Sequence, residues 1–159
     1  MVARKLAEFL DQQKVRYQII RHAPSYTAQG VAAATHISGK ELVKTVVLKV
    51  DGVFSMVVVP ASRRVDIPAL RRALGTLDVV LCSEEDFKDR FPGCETGAMP
   101  PFGNLYGMPV IVDVTITEDD EIAFNAGTHA EVIRMAYRDF ERMVAPRIMS
   151  ICGAVPVAV

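Results

Sequence analysis

The sequence is short of most features that usually give a function away. Its formal net charge is −1 over 159 residues. That argues against a broad phosphate-binding surface and against duplex DNA as a partner, while leaving room to grip one nucleotide or the end of an RNA. The cysteines are three, Cys82, Cys94 and Cys152. Odd in number and widely spaced, they offer no CxxC or Cys/His pair for zinc and point to a reduced, cytoplasmic protein. No apolar run approaches the ~18 residues of a membrane span, and the charged, amphipathic start MVARKLAEFLDQQK is not a signal peptide. GxSxG, GxxxxGK[ST], HExxH and a GxGxxG after a strand are all missing. His22, His36 and His129 lack metal-ligand spacing. Neither metal nor cofactor is expected.

What is present is a core. Half of the residues are hydrophobic, and the length predicts one domain over residues 1–159. Apolar spacing predicts a helix over 3–13 and a strand over 16–20. A second helix falls over 25–36, capped by Ser25 or Thr27. ELVKTVVLKVDG leads through an Asp51-Gly52 turn into VFSMVVVP, a β-hairpin. Its second strand is apolar on both faces, as a central strand covered on both sides would be. Asp66 and Pro68 open a helix that Gly75 stops, a strand spans 78–82, and Ser83 caps a short helix. The stretch 92–109 is irregular, with buried-type residues that argue for order. Strands follow at 110–114 and 121–126, joined by a solvated acidic turn. THAEVIRMAYRDFERMV, 128–144, reads either as one capped helix or as a strand followed by a helix. Without strict βα alternation, these elements predict an α+β domain with a mixed sheet.

Three features carry chemistry. Lys44 shares a strand face with Leu42, Val46, Leu48 and Val50. A lone ammonium there either snorkels out at the strand end or points into a cleft that wants positive charge. GAMPPFG, 97–103, joins a glycine to stiffening prolines and can present backbone groups rigidly to a ligand, or be a structural loop. NAGTH, 125–129, ends a strand in Ala-Gly before a histidine, and its plain alternative is a turn. Arg63-Arg64 and Arg71-Arg72 read as a solvated helix face or a basic rim.

In this order and at these separations, RHAPSYTA, LVKTVVLK, GAMPPFG and NAGTH resemble the YbaK/prolyl-tRNA-synthetase-associated editing domains, over residues 15 to 145. The resemblance implies a mixed, partly barrel-like central β-sheet with flanking helices, and a strand over 131–136 before the last helix. It implies a freestanding aminoacyl-tRNA deacylase that removes a small amino acid, alanine or serine and threonine, with cysteine within range. Its partner is then the CCA end of an aminoacyl-tRNA, with a synthetase as a further partner. Lys44 matches the family lysine that contacts the terminal adenosine phosphate and places the ester. Gly97 matches the glycine whose loop holds the aminoacyl carbonyl and the attacking water. His129 matches a histidine of the amino-acid pocket. Thr45, Met99, Pro101, Phe102, Gly127, Tyr26 and Thr27 are implied to complete the substrate site, Met99 and Phe102 as bulky caps over a shallow pocket. No protein thiol is needed. Two other classes stay open: a catalytically weak module that binds tRNA or a synthetase, and a hydrolase of an unrelated ester.

Overall fold

A mixed five-stranded sheet organises the chain, which the computed structural model describes over residues 1–153. Its centre is the hairpin of β2 (Val43–Val50) and β3 (Val53–Pro60), paired antiparallel along their whole length. The turn works because Asp51 and Gly52 both take positive φ, 50° and 81°, the hand that matches strand twist. β3 lies in the middle, buried from Ser55 to Pro60. Beyond β2 is β5 (Val79–Leu81). On the other side run β6 (Val110–Asp113) and β9 (Arg147–Met149), both parallel to β3. β4 (Arg64–Val65) and β10 (Cys152–Gly153) form a separate two-residue pair.

A second sheet orders β1 (Tyr17–Arg21), β8 (Glu131–Ala136) and β7 (Glu121–Asn125), all antiparallel. The main core fills the space between the two sheets. Val43, Val47, Met56 and Val58 meet Ile122, Phe124, Ile133 and Met135 there. Leu6 and Leu10 of α1 (Arg4–Gln12) and Phe140 and Val144 of α5 (Tyr137–Val144) close it. On the far face of the five-stranded sheet, Leu48, Val57 and Val59 pack with Leu70 of α3 (Ile67–Leu74). Asp66 caps that helix by accepting from the Ala69 amide at 3.0 Å. Among the described residues no helix is long and apolar enough to cross a membrane.

The α+β, mixed-sheet architecture is the expected one. The barrel-like element stops short of closure, because the strands sort into sheets of five, three and two. A parallel bridge, Leu42 to Ala123, joins the two larger sheets.

Residues 131–136 are a strand and a helix follows, as the resemblance implies. Thr128 and Glu131 contact each other at 3.4 Å, but inside the turn that enters β8 rather than at a helix start. Period-2 spacing is hidden there because adjacent residues are buried on opposite sides: Val132 against Val31 and Leu42, Ile133 in the main core. Two other expectations change. Arg63 precedes β4 and Arg64 lies in it, so neither is on a helix. In the acidic turn, the Asp119 side chain is only 5% exposed and sits 3.7 Å from the Lys40 ammonium.

Candidate active site

The seam between the sheets sets the site. A parallel bridge joins Leu42 to Ala123, and the residues two positions beyond it on each strand, Lys44 and Asn125, both line one cleft. That cleft, of about 170 Å³, is walled by Tyr26, Thr27, Lys44, Thr45, Gly97 and Asn125. Thr27 belongs to the wall because it caps α2 (Ala28–Thr35). Its Oγ1 accepts from the Gly30 amide at 3.0 Å, which leaves the hydroxyl proton to donate elsewhere. A groove of about 420 Å³ beside α3 is larger, but its only charged lining residues are Arg71 and Arg72 and it brings no acid, base or nucleophile together. Volume alone does not select a site.

Lys44 is one of the residues that wall the cleft. Its ammonium is held below the ordinary lysine range, first by burial and then by the charge of Arg64. The cleft lining contains no carboxylate to offset it. A cation kept half-buried without a counter-ion is suited to receive an anionic group.

The opposite wall is the Gly97 loop. Gly97 takes φ +89°, and a Cβ placed on it would lie 3.4 Å from His129 Cε1 and 3.8 Å from Glu84 Oε1. His129 holds the loop in place. Its Nε2 lies 2.9 Å from the Thr96 carbonyl; a carbonyl only accepts, so Nε2 carries the proton. The His129 amide donates to Glu95 Oε2 at 3.3 Å, and the Tyr26 ring lies 4.7 Å from the imidazole. Gly127 completes the clamp. Its amide donates to Ala98 O at 2.9 Å, and its carbonyl accepts from the Glu95 amide at 2.8 Å. A side chain at Gly127, at φ +96°, would meet Ala3 Cβ at 2.6 Å. The cleft thus combines polar groups with the apolar side chains of Val31, Leu42 and Val43, with a cation on β2 and carboxylates around the glycine loop.

Five residues singled out from the sequence line this cleft: Lys44, Thr45, Gly97, Tyr26 and Thr27. His129 and Gly127 stand behind its wall. Pro101 is buried, and the caps expected of Met99 and Phe102 are core residues instead. Phe102 is fully buried, its ring centroid 6.2 Å from Phe9 and 5.4 Å from both Phe124 and Phe140. Met99 is 5% exposed and belongs to the same cluster, and its Sδ accepts from the Gly97 amide at 3.1 Å. Both corrections share a cause: beside a Gly-Pro loop, an apolar side chain fits a cap and a core anchor equally well until its neighbours are known. Met99→Ala should therefore cost about 2–5 kcal/mol of stability as a core truncation, read from the urea midpoint, rather than widen a pocket.

Asn125 also lines the cleft, without a sequence signal that marks it. It ends β7 inside the quoted NAGTH, yet nothing in its local pattern distinguishes it from a turn residue. Only the long-range bridge between the sheets brings its strand to the cleft that Lys44 also lines. Among the described residues no cluster of three or more His, Cys, Asp or Glu is arranged to hold a metal ion.

Comparison with known proteins places these observations. The model of a family described as the aminoacyl-tRNA editing domain matches residues 22–143. The chain is 25% identical over 151 residues to the multifunctional Ser/Thr-tRNA deacylase ProXp-y of Escherichia coli (strain K12), covering 92% of this chain and 90% of that one. It is 23% identical over 141 residues to the prolyl-tRNA editing protein ProX of Acetoanaerobium sticklandii, covering 85% of each. Among solved structures, a protein studied as a candidate trans-editing enzyme for prolyl tRNA synthetase shares the fold. Its TM-score is 0.81 at 17% identity, over 96% of this chain and 97% of that one.

Proposed function

From the premise that this chain belongs to the aminoacyl-tRNA editing domain family, we propose that it is a trans-acting aminoacyl-tRNA deacylase of the cytoplasm, one domain working on mischarged tRNA that carries a small amino acid. The observation that carries the reading is the charge layout of the cleft. Lys44 stands without a carboxylate at one wall, while Glu84 and Glu95 flank the loop opposite. An aminoacyl-tRNA end has the matching order, a phosphodiester on one side of the ester and an α-ammonium on the other. The names of the relatives, a Ser/Thr-tRNA deacylase and a prolyl-tRNA editing protein, support the same chemistry.

The reaction asks little of the protein beyond placement. An aminoacyl ester is already activated, so water adds to its carbonyl carbon and the bond to the ribose oxygen breaks. The ribose oxygen takes up the proton, giving free amino acid and tRNA. Holding ester and water in one geometry removes much of the barrier, and donors aimed at the developing oxyanion remove more. Lys44 binds the terminal phosphate as a point charge and fixes the ester beside the Gly97 loop. Thr27 and Thr45 supply hydroxyls at the wall. Tyr26, 75% exposed at the cleft, offers a ring face for the terminal adenine. His129 and Gly127 serve by holding the loop. The narrow cleft rejects large side chains by overlap.

The thiols are outside this scheme. Burial raises the pKa of both Cys82 and Cys94, which keeps them protonated and weakly nucleophilic. Cys94 Sγ is engaged at 3.3 Å with the Tyr106 hydroxyl. Cys82→Ser and Cys94→Ser should leave steady-state turnover within about twofold of the parent, since neither touches the reacting atoms; a large loss in either would point to a thiol mechanism.

The deciding experiment is a panel of purified alanyl-, seryl-, threonyl-, cysteinyl- and leucyl-tRNA with and without the protein. Hydrolysis of small esters with leucyl-tRNA spared supports the proposal. Equal rates on alanyl- and leucyl-tRNA remove the size argument. No hydrolysis of any, with retained binding of tRNA or a synthetase, assigns the regulatory role instead.

A further inference from the structure

We propose that Arg63 and Arg64 continue the charge of Lys44 along the β3–β4 turn as a track for the phosphodiesters upstream of the terminal nucleotide, so that the 3′ strand of the tRNA leaves the cleft over that turn. The inference rests on the deacylase reading and gives the RNA its path away from the ester.

Strand register brings the three cations together. Lys44 stands opposite Val59, and directly opposed residues project from the same face of a sheet. Val59 packs on that face with Val65 and Cys152, one residue from each strand of the β4–β10 pair. The chain enters β4 by a tight reversal. The Ala61 amide donates to Leu42 O at 2.7 Å, and the Arg63 amide to Pro60 O at 2.9 Å. Arg63 and Arg64 therefore follow β3 at the end of the sheet where Lys44 stands. Their charges reach it: Arg64 helps to lower the Lys44 pKa, and Arg63 and Lys44 both act on the Cys152 thiol.

Both arginines are exposed, and among the described residues none of the three cations is ion-paired. The carboxylates beside the β4–β10 pair have other partners: Asp66 accepts from the Ala69 amide, Asp113 from the Thr115 and Ile151 amides. The far wall is of the opposite sign. Glu84 Oε1 lies 3.8 Å from a Cβ placed on Gly97, and Glu85 and Asp86 follow it in α4 (Glu84–Phe87). A polyanion is repelled there and drawn across β4, where guanidinium groups offer forked donors to phosphate. So short a track is compatible with a net charge of −1.

The test counts phosphates. One probe is the alanyl amide of 3′-amino-3′-deoxyadenosine 5′-monophosphate, which carries a single phosphate. The other is the same amide at the end of 5′-phosphorylated CCA, which carries two more. Neither is hydrolysed, so their dissociation constants are measurable by calorimetry across a series of salt concentrations. The parent should bind the trinucleotide with a log Kd against log[NaCl] slope about 1.4 steeper than the mononucleotide, two further phosphates at about 0.7 each. The Arg63→Gln, Arg64→Gln double variant should lose that extra slope and bind the trinucleotide about tenfold more weakly at low salt, with a far smaller deficit on the mononucleotide. Replacing both by lysine should restore the slope, since charge is what it counts. Arg72→Gln removes an equal charge from α3 and should keep the parental slope. Exposed positions tolerate these changes with little loss of stability. An unchanged slope in the double glutamine variant overturns the inference. So does a deficit of equal size on both probes, or an Arg72→Gln variant that loses as much slope as Arg64→Gln alone. Failure of the deacylase reading would appear separately, as an aminoacyl-tRNA panel without hydrolysis.

Discussion

Lys44→Ala is expected to lower kcat/KM on the preferred aminoacyl-tRNA by about 10²–10³-fold, the range associated with losing one preorganised electrostatic contact. The same variant should melt no lower than the parent. These outcomes come from one fact, an ammonium held half-buried with burial as the main cause of its lowered pKa. Charge in that position is unfavourable for the folded state and useful only when an anion arrives. The pH dependence follows with a definite sign. In the window between the lowered folded pKa and the ordinary 10.5, the unfolded chain binds the additional proton, so the parent gains stability as pH rises through it. The advantage of the alanine variant is therefore largest near neutrality and shrinks in alkali. Binding of the phosphate-bearing end should weaken over the same window as Lys44 loses its charge. Melting curves at several pH values, set beside single-turnover deacylation, check both halves. Wild-type turnover in Lys44→Ala would return the residue to the role of a snorkelling strand lysine.

That tension between fold and site was partly visible in the sequence. Lys44 stood out because a lysine interrupts an aliphatic face in a strand whose period and Asp-Gly turn are unambiguous. Local patterning identified the hairpin for the same reason, and β3 announced its central place by being apolar on both faces. It did not identify β8. Val132 and Ile133 are buried on opposite sides of a sheet covered on both, so the alternation that marks a strand is erased and helix and strand become equivalent readings. It did not identify the short pair β4 and β10 either, since two-residue strands carry no period. Within the site, the elements that sequence could name were those with an odd local signature: a lysine among aliphatics, a glycine before two prolines, a histidine after Gly-Thr. Phe102 and Met99 carried the same local signature and turned out to be core, because only tertiary contacts say which side of a loop faces inward. Asn125 is the converse. Its place on the cleft wall depends on a bridge between residues 81 positions apart, Leu42 and Ala123, and no window of sequence contains it.

Gly97→Val should be the second severe variant, reducing kcat/KM by about 10²-fold or more through misplacement of the ester. Unlike Lys44→Ala, it should also cost stability, about 1–3 kcal/mol. The backbone at Gly97 has φ +89°, where a β-branched residue is a strong outlier. Space at the first carbon is not the obstacle, for a Cβ would meet His129 Cε1 at 3.4 Å, an ordinary contact. The two further methyl groups of valine are the obstacle, since they extend toward His129, Glu84 and the cleft. Gly97→Ala separates the causes. It carries the backbone penalty with little obstruction, so it should melt nearly as low as the valine variant yet retain more activity. If strain alone mattered, loss of activity would track loss of stability across the pair. If the cleft must stay open at this point, valine falls well below alanine at equal stability, and that is the expected result. A folded Gly97→Val protein with wild-type deacylation would show that the 97–103 loop only connects strands and that the ester is held elsewhere.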